Sequence, residues 1–83
     1  MTVDLAALLR RGIRAAHWDH RDLLIAAVAL GANLDLGDIT SITSGRRPPT
    51  AREYDVLAVT LNERLNDIGK DHPMRLWHQL PDT

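Results

Sequence analysis

Three segments of this chain open with an oxygen-bearing side chain three residues ahead of an acidic one and close at a glycine. The pairs are Asp19/Asp22, Asp35/Asp38 and Thr50/Glu53, and the closing residues are Gly31, Gly45 and Gly69. An N-cap oxygen accepts a backbone N–H of the first helical turn, and the acid at the third helical position accepts the N–H of the cap in return. Glycine then stops the helix because it enters the left-handed region without a side-chain penalty. This punctuation predicts a series of short helices. No segment reads as a strand.

Apolar residues recur at helical spacing inside each segment. Leu5, Leu9 and Ile13, widened by Leu8 and Ala16, predict a first helix from about Thr2 to Ala16. Thr2 is its expected N-cap, with Asp4 at the positive end of its dipole. Leu23, Leu24, Ala27, Val28 and Leu30 give the second helix a broad apolar face. Ile39 and Ile42, with Leu36 or Leu34, point the third one inward. Tyr54, Leu57, Ala58, Leu61, Leu65 and Ile68 run down the fourth. Pro48 and Pro49 keep the third and fourth apart, since each restricts the residue before it. Pro73 predicts a last short helix, Met74 to Leu80, stopped by Pro81. The reading is one compact all-α domain of four to five helices over residues 1–83.

Composition excludes several classes of function. A chain of 83 residues supports a modest core and leaves little to wall a catalytic cleft. Without cysteine there is no disulfide scaffold and no cysteine zinc site. His17, Asp19 and His20 straddle a helix end with no fourth ligand, and His72 and His78 are poorly spaced for one helical face, so no metal site is expected. No nucleophile–base pair, glycine-rich phosphate loop or pair of carboxylates in an apolar setting is present. Neither an enzyme nor a cofactor is expected. The chain opens without a cationic segment followed by an apolar run, and its longest apolar stretch, Leu23–Leu30, is eight residues. A soluble, cytoplasmic protein with no membrane partner is expected.

An alanine-rich helix, a turn and a short helix, over about residues 20–44, make a helix-turn-helix in which Ala26, Ala27 and Ala29 permit a sharp crossing. The short second member is the one such a motif presents to the major groove. The run Ile39-Thr40-Ser41-Ile42-Thr43-Ser44-Gly45-Arg46-Arg47-Pro48-Pro49-Thr50, followed by Tyr54, Leu57 and Ala58, resembles the Cro/repressor (XRE-type) helix-turn-helix family. The resemblance spans about Leu5 to Leu65. It implies a lambda-repressor-like domain that docks as a symmetric dimer on a repeated operator in double-stranded DNA. Carried over position by position, it sets Asp35, Leu36, Gly37, Asp38 and Ser41 on the groove-facing side of the third helix. Thr40 matches the family's serine, and Arg46 and Arg47 reach the phosphates. In direct readout, Asp38 would accept from a cytosine amino group and Leu36 would meet a thymine methyl.

The charge distribution bears on that expectation. Net charge is -1, unlike a bulk nucleic-acid binder. Yet residues 1–21 hold four Arg against two Asp, and residues 46–52 hold three Arg and no acid. Residues 22–45 carry three Asp with no basic residue. In a helix-turn-helix of this type Arg46, Arg47, Arg52 and Arg21 lie along the DNA backbone, where phosphate contacts rather than net charge set affinity. Each has a plainer reading. Arg46 and Arg47 sit in a loop beside two prolines, Asp35 and Asp38 serve as caps, and Thr40 and Ser41 decorate an exposed face. Arg10, Arg11 and Arg14 read as a solvated face, and Trp18 as packing in the first interhelical turn.

Met74, Leu76, Trp77 and Leu80 form a C-terminal apolar face that either covers the core or meets a twin, and a homodimer through it is expected. Two classes of function follow. One is a sequence-specific transcriptional regulator of the phage- or plasmid-repressor or antitoxin-like kind. The other keeps the helix-turn-helix scaffold as a protein-interaction module that binds another regulator.

Overall fold

The computed structural model describes residues 3–70 and 73–80. It contains four α-helices, α1 (Leu5–Ala15), α2 (His20–Ala29), α3 (Leu36–Thr43) and α4 (Ala51–Asp67), then a single 3-10 turn at Trp77–Gln79. No strand occurs among the described residues. Helix α4 is the spine: Tyr54, Leu57, Ala58, Leu61 and Leu65 are buried along one face. Helices α1 and α2 each pack against both α4 and α3. They supply Leu9, Ile13, Leu23 and Ala27 to the core, and α3 supplies Ile39 and Ile42. Each fully buried Leu or Ile contributes about 1.5–3 kcal/mol. That burial holds the helices, since segments of 8–17 residues are marginal on their own.

All three capping boxes form. The Asp22 N–H donates to Asp19 Oδ1 at 2.8 Å, the Asp38 N–H to Asp35 Oδ1 at 2.8 Å, and the Glu53 N–H to Thr50 Oγ1 at 3.0 Å. The reciprocal bonds run at 2.9–3.1 Å. Helix α1 starts at Leu5, the first residue of its apolar spacing, and not just after Thr2. Its cap is Asp4, whose Oδ1 accepts the Ala7 N–H at 3.0 Å. Thr2, the expected cap, lies outside the described residues.

Every α-helix ends in the same hydrogen-bonded closure, in which the second residue past the cap donates back to the third-last helical carbonyl. Ala32 donates to Ala27, Arg46 to Ser41 and Lys70 to Leu65, each turning on a glycine with positive φ. In α1 the turning residue is His17, at φ 56°, and Trp18 donates to Ile13. Arg64 of α4 fastens this turn: its Nε donates to the Ala16 carbonyl at 3.1 Å, and its guanidinium stacks 5.5 Å from the Trp18 ring centroid.

The C-terminal segment is not the helix expected over Met74–Leu80. Side chains of α4 claim the backbone groups that such a helix needs. Asn62 donates to the Met74 carbonyl at 3.0 Å and accepts its N–H at 2.7 Å. Tyr54 donates its hydroxyl to the Arg75 carbonyl at 3.0 Å, and Asp55 accepts the Trp77 N–H at 2.6 Å. Only Trp77–Gln79 turns helically. Pro81, the expected stop, lies outside the described residues. Met74, Leu76 and Leu80 pack against the core, and Trp77 sits edge-on to Tyr54.

His17 occupies a conformation that costs an L-residue about 1–2 kcal/mol and costs glycine little. Replacing it, His17→Gly, is expected to raise the free energy of unfolding by about 0.5–1 kcal/mol, the excess being offset by greater freedom in the unfolded chain. Urea unfolding reads this directly. A variant less stable than the parent would show that the histidine ring holds the turn.

Candidate nucleic-acid interface

Six residues, Leu30–Asp35, connect α2 to α3, where a tight helix-turn-helix uses three or four. The extra length is folded inward, with Ala32 and Leu34 packed against the core. Helix α3 buries Ile39, Ile42 and Thr43, leaving Leu36, Gly37, Thr40 and the C-cap Ser44 exposed and Asp38 and Ser41 half-buried. Leu36 keeps 37% of its surface in solvent, a large fraction for a leucine on a helix this short. The N-termini of α2 and α3 converge there: Asp19, His20, Arg21, Leu36 and Thr40 line one shallow recess. Among the residues predicted to meet DNA, the fold therefore brings Arg21, Leu36 and Thr40 together.

Asp35 and Asp38 are the α3 capping box, and their carboxylates accept backbone N–H groups. Asp19 and Asp22 do the same for α2. The Asp19 carboxyl is held below its ordinary range, chiefly by the Asp22 N–H. The helix ends that would otherwise cradle a phosphate are thus occupied by carboxylates.

Arg47 makes its contacts within the chain. Its guanidinium grips Glu53 through two bonds of 2.8 and 3.0 Å, and Nη2 lies 3.4 Å from Asp38 Oδ1. It joins the capping acid of α3 to the capping acid of α4. These bonds raise the Arg47 pKa, and with the Thr50 N–H they pull the Glu53 carboxyl down to about 2. Arg46, immediately beyond α3, is exposed. Arg52 is exposed elsewhere, in a depression with Leu30, Asp55, Val56 and Val59. Of the C-terminal group, Trp77 alone is strongly exposed, at 40%.

Two positioning residues escaped the sequence reading. Arg10 is exposed, as its solvated-face reading expects, but it also donates to the Thr43 carbonyl at 2.6 Å and pins the end of α3 to α1. Thr43 donates its hydroxyl to the Ile39 carbonyl at 2.8 Å and lies 3.3 Å from His20 Nε2, joining α3 to the start of α2. The partners stand 33 and 23 residues apart, so no local pattern announces them.

Glu53 keeps its charge in the folded chain down to about pH 2, whereas an ordinary glutamate protonates near 4.5. Its stabilisation is complete above pH 4.5 and is lost as the pH falls toward 2. Urea unfolding of the parent and of Glu53→Gln is expected to differ by about 1 kcal/mol at neutral pH, closing toward pH 2. A gap independent of pH would contradict the ion pair with Arg47.

Among the described residues, no group of three or more His, Asp or Glu is placed to hold a metal ion, and no helix is long and apolar enough to cross a membrane. No protein-family model, no curated protein and no solved structure matches this chain.

Proposed function

We propose that this chain is a small sequence-specific DNA-binding regulator with a lambda-repressor-like helix-turn-helix, which represses by occupying operator DNA. The observation that carries the reading is the exposed edge of α3, Leu36, Gly37 and Thr40, standing beside Arg21 with Arg46 at its far end. The resemblance of Ile39–Thr50 to the Cro/repressor family supports the same assignment. An α-helix with its side chains is about 10–12 Å across, matched to the width of the major groove.

In this reading Leu36 meets a thymine methyl and the Thr40 hydroxyl bonds a base edge. Gly37 lets the backbone approach closely. Arg21 and Arg46 bind phosphates on either side and fix the register. Arg47 does not contact DNA; it holds α3 against α4. Asp35 and Asp38 remain in their capping box, so discrimination falls to Leu36 and Thr40.

One observation favours a second reading. Asp19, Asp22, Asp35 and Asp38 outnumber the exposed arginines along this edge, which suits a basic protein partner such as another regulator.

Fluorescence anisotropy with labelled duplex fragments from the chain's own locus separates the two. The expected result is selective binding that weakens steeply with salt. Arg21→Ala and Arg46→Ala are each expected to weaken binding to all duplexes and to lower the salt slope by about one. Leu36→Ala is expected to relax selectivity instead. No selective binding at low salt would overturn the DNA reading and leave the protein partner.

A further inference from the structure

Helix α4 carries a second pattern on the side away from the core. Arg52, Val56, Val59 and Glu63 follow at steps of four, three and four, which places them on one stripe. Arg52, Val59 and Glu63 are exposed and Val56 is half-buried. Leu30, 45% exposed, stands beside the stripe and shares a depression with Arg52, Val56 and Val59.

The order of charges along the stripe selects its partner. In a two-fold interface residue i meets residue j while j meets i. The pairs 56/59 and 52/63 are both centred between Leu57 and Ala58. Two copies of α4 laid antiparallel about that point therefore put Val56 against the partner's Val59 and Arg52 against the partner's Glu63. A parallel arrangement would oppose Arg52 to Arg52 and Glu63 to Glu63. The alternation of four and three is also the seam of a two-stranded helical pair.

Among the described residues these charges have no such match, the salt bridges there being those of Arg47 with Asp38 and Glu53. Arg52 moreover occupies the first turn of α4, where the helix dipole disfavours a cation.

We propose that a second copy of this chain docks here, α4 against α4 and antiparallel, with Val56, Val59 and Leu30 at the centre and an Arg52–Glu63 pair closing each end. This surface is distinct from the C-terminal apolar face, most of which packs on its own core, and from the α3 edge assigned to DNA.

Sedimentation equilibrium of the full chain without DNA tests the proposal. A reversible dimer is expected. Arg52→Glu or Glu63→Arg alone, by opposing like charges at both ends, weakens it about tenfold or more. The double variant Arg52→Glu/Glu63→Arg regains most of the loss, because the complementary pairs are restored with reversed sign. Val59→Asp abolishes the dimer. Both charge reversals move charge toward the end of α4 that its dipole favours, and circular dichroism confirms the helices. A monomer at every concentration would overturn the proposal. So would a dimer indifferent to the single reversals, or one that the double variant fails to restore.

Discussion

Tyr54, Leu57, Ala58, Leu61 and Leu65 lie on one face of one helix, and α1, α2 and the C-terminal segment are placed by packing against it. A domain of this size buries only about 60% of the surface its unfolded chain exposes. Its apolar core is correspondingly small. Polar side chains of α4 extend its reach: Tyr54 and Asn62 hold the C-terminal segment, and Arg64 holds the turn between α1 and α2. The helix thus organises the domain through apolar burial on its inner face and hydrogen bonds at its flanks.

Helix α3 depends on this frame most. Its eight residues would not stay helical alone. Ile39 and Ile42 anchor it from below, Arg10 takes its last turn, and Arg47 ties its capping acid to that of α4. Packing on α1 and α2 and the tie to α4 fix one short helix, whose outer edge stays exposed. Preorganisation of this kind lets few side chains discriminate between ligands, because little ordering entropy remains to be lost on binding. It gives Leu36 and Thr40 a defined position in the DNA-binding reading.

Local signals were legible in the sequence and distant ones were not. The three capping boxes and their glycine stops delimited α2, α3 and α4 because both partners of each bond lie within one turn. The apolar spacing of α4 likewise named its buried face. Asp4 was assigned to the dipole when it is in fact the cap, a confusion between two roles that the same carboxylate fills at a helix start. The expected C-terminal helix failed for a different reason: Asn62 captures Met74 across 12 residues, and no local rule anticipates that competition. The resemblance sets Arg47 beside Arg46 on the phosphates, and neither it nor the adjoining prolines point to a partner within the chain. The grip of Arg47 on Glu53 became visible only once α4 was folded beneath it. The outer stripe of α4 was present in the spacing, but its meaning required knowing which face the core consumes.

We propose that the exposed edge of α3 is the surface that reads DNA. Two-dimensional NMR of the labelled chain, titrated at low salt with a duplex selected from a random-sequence library by capture on the protein, tests it residue by residue. The shifted amides are expected to cluster at Arg21, Leu36, Gly37, Thr40 and Arg46, with α1 unperturbed. Shifts centred on another surface, or none at all, would contradict it.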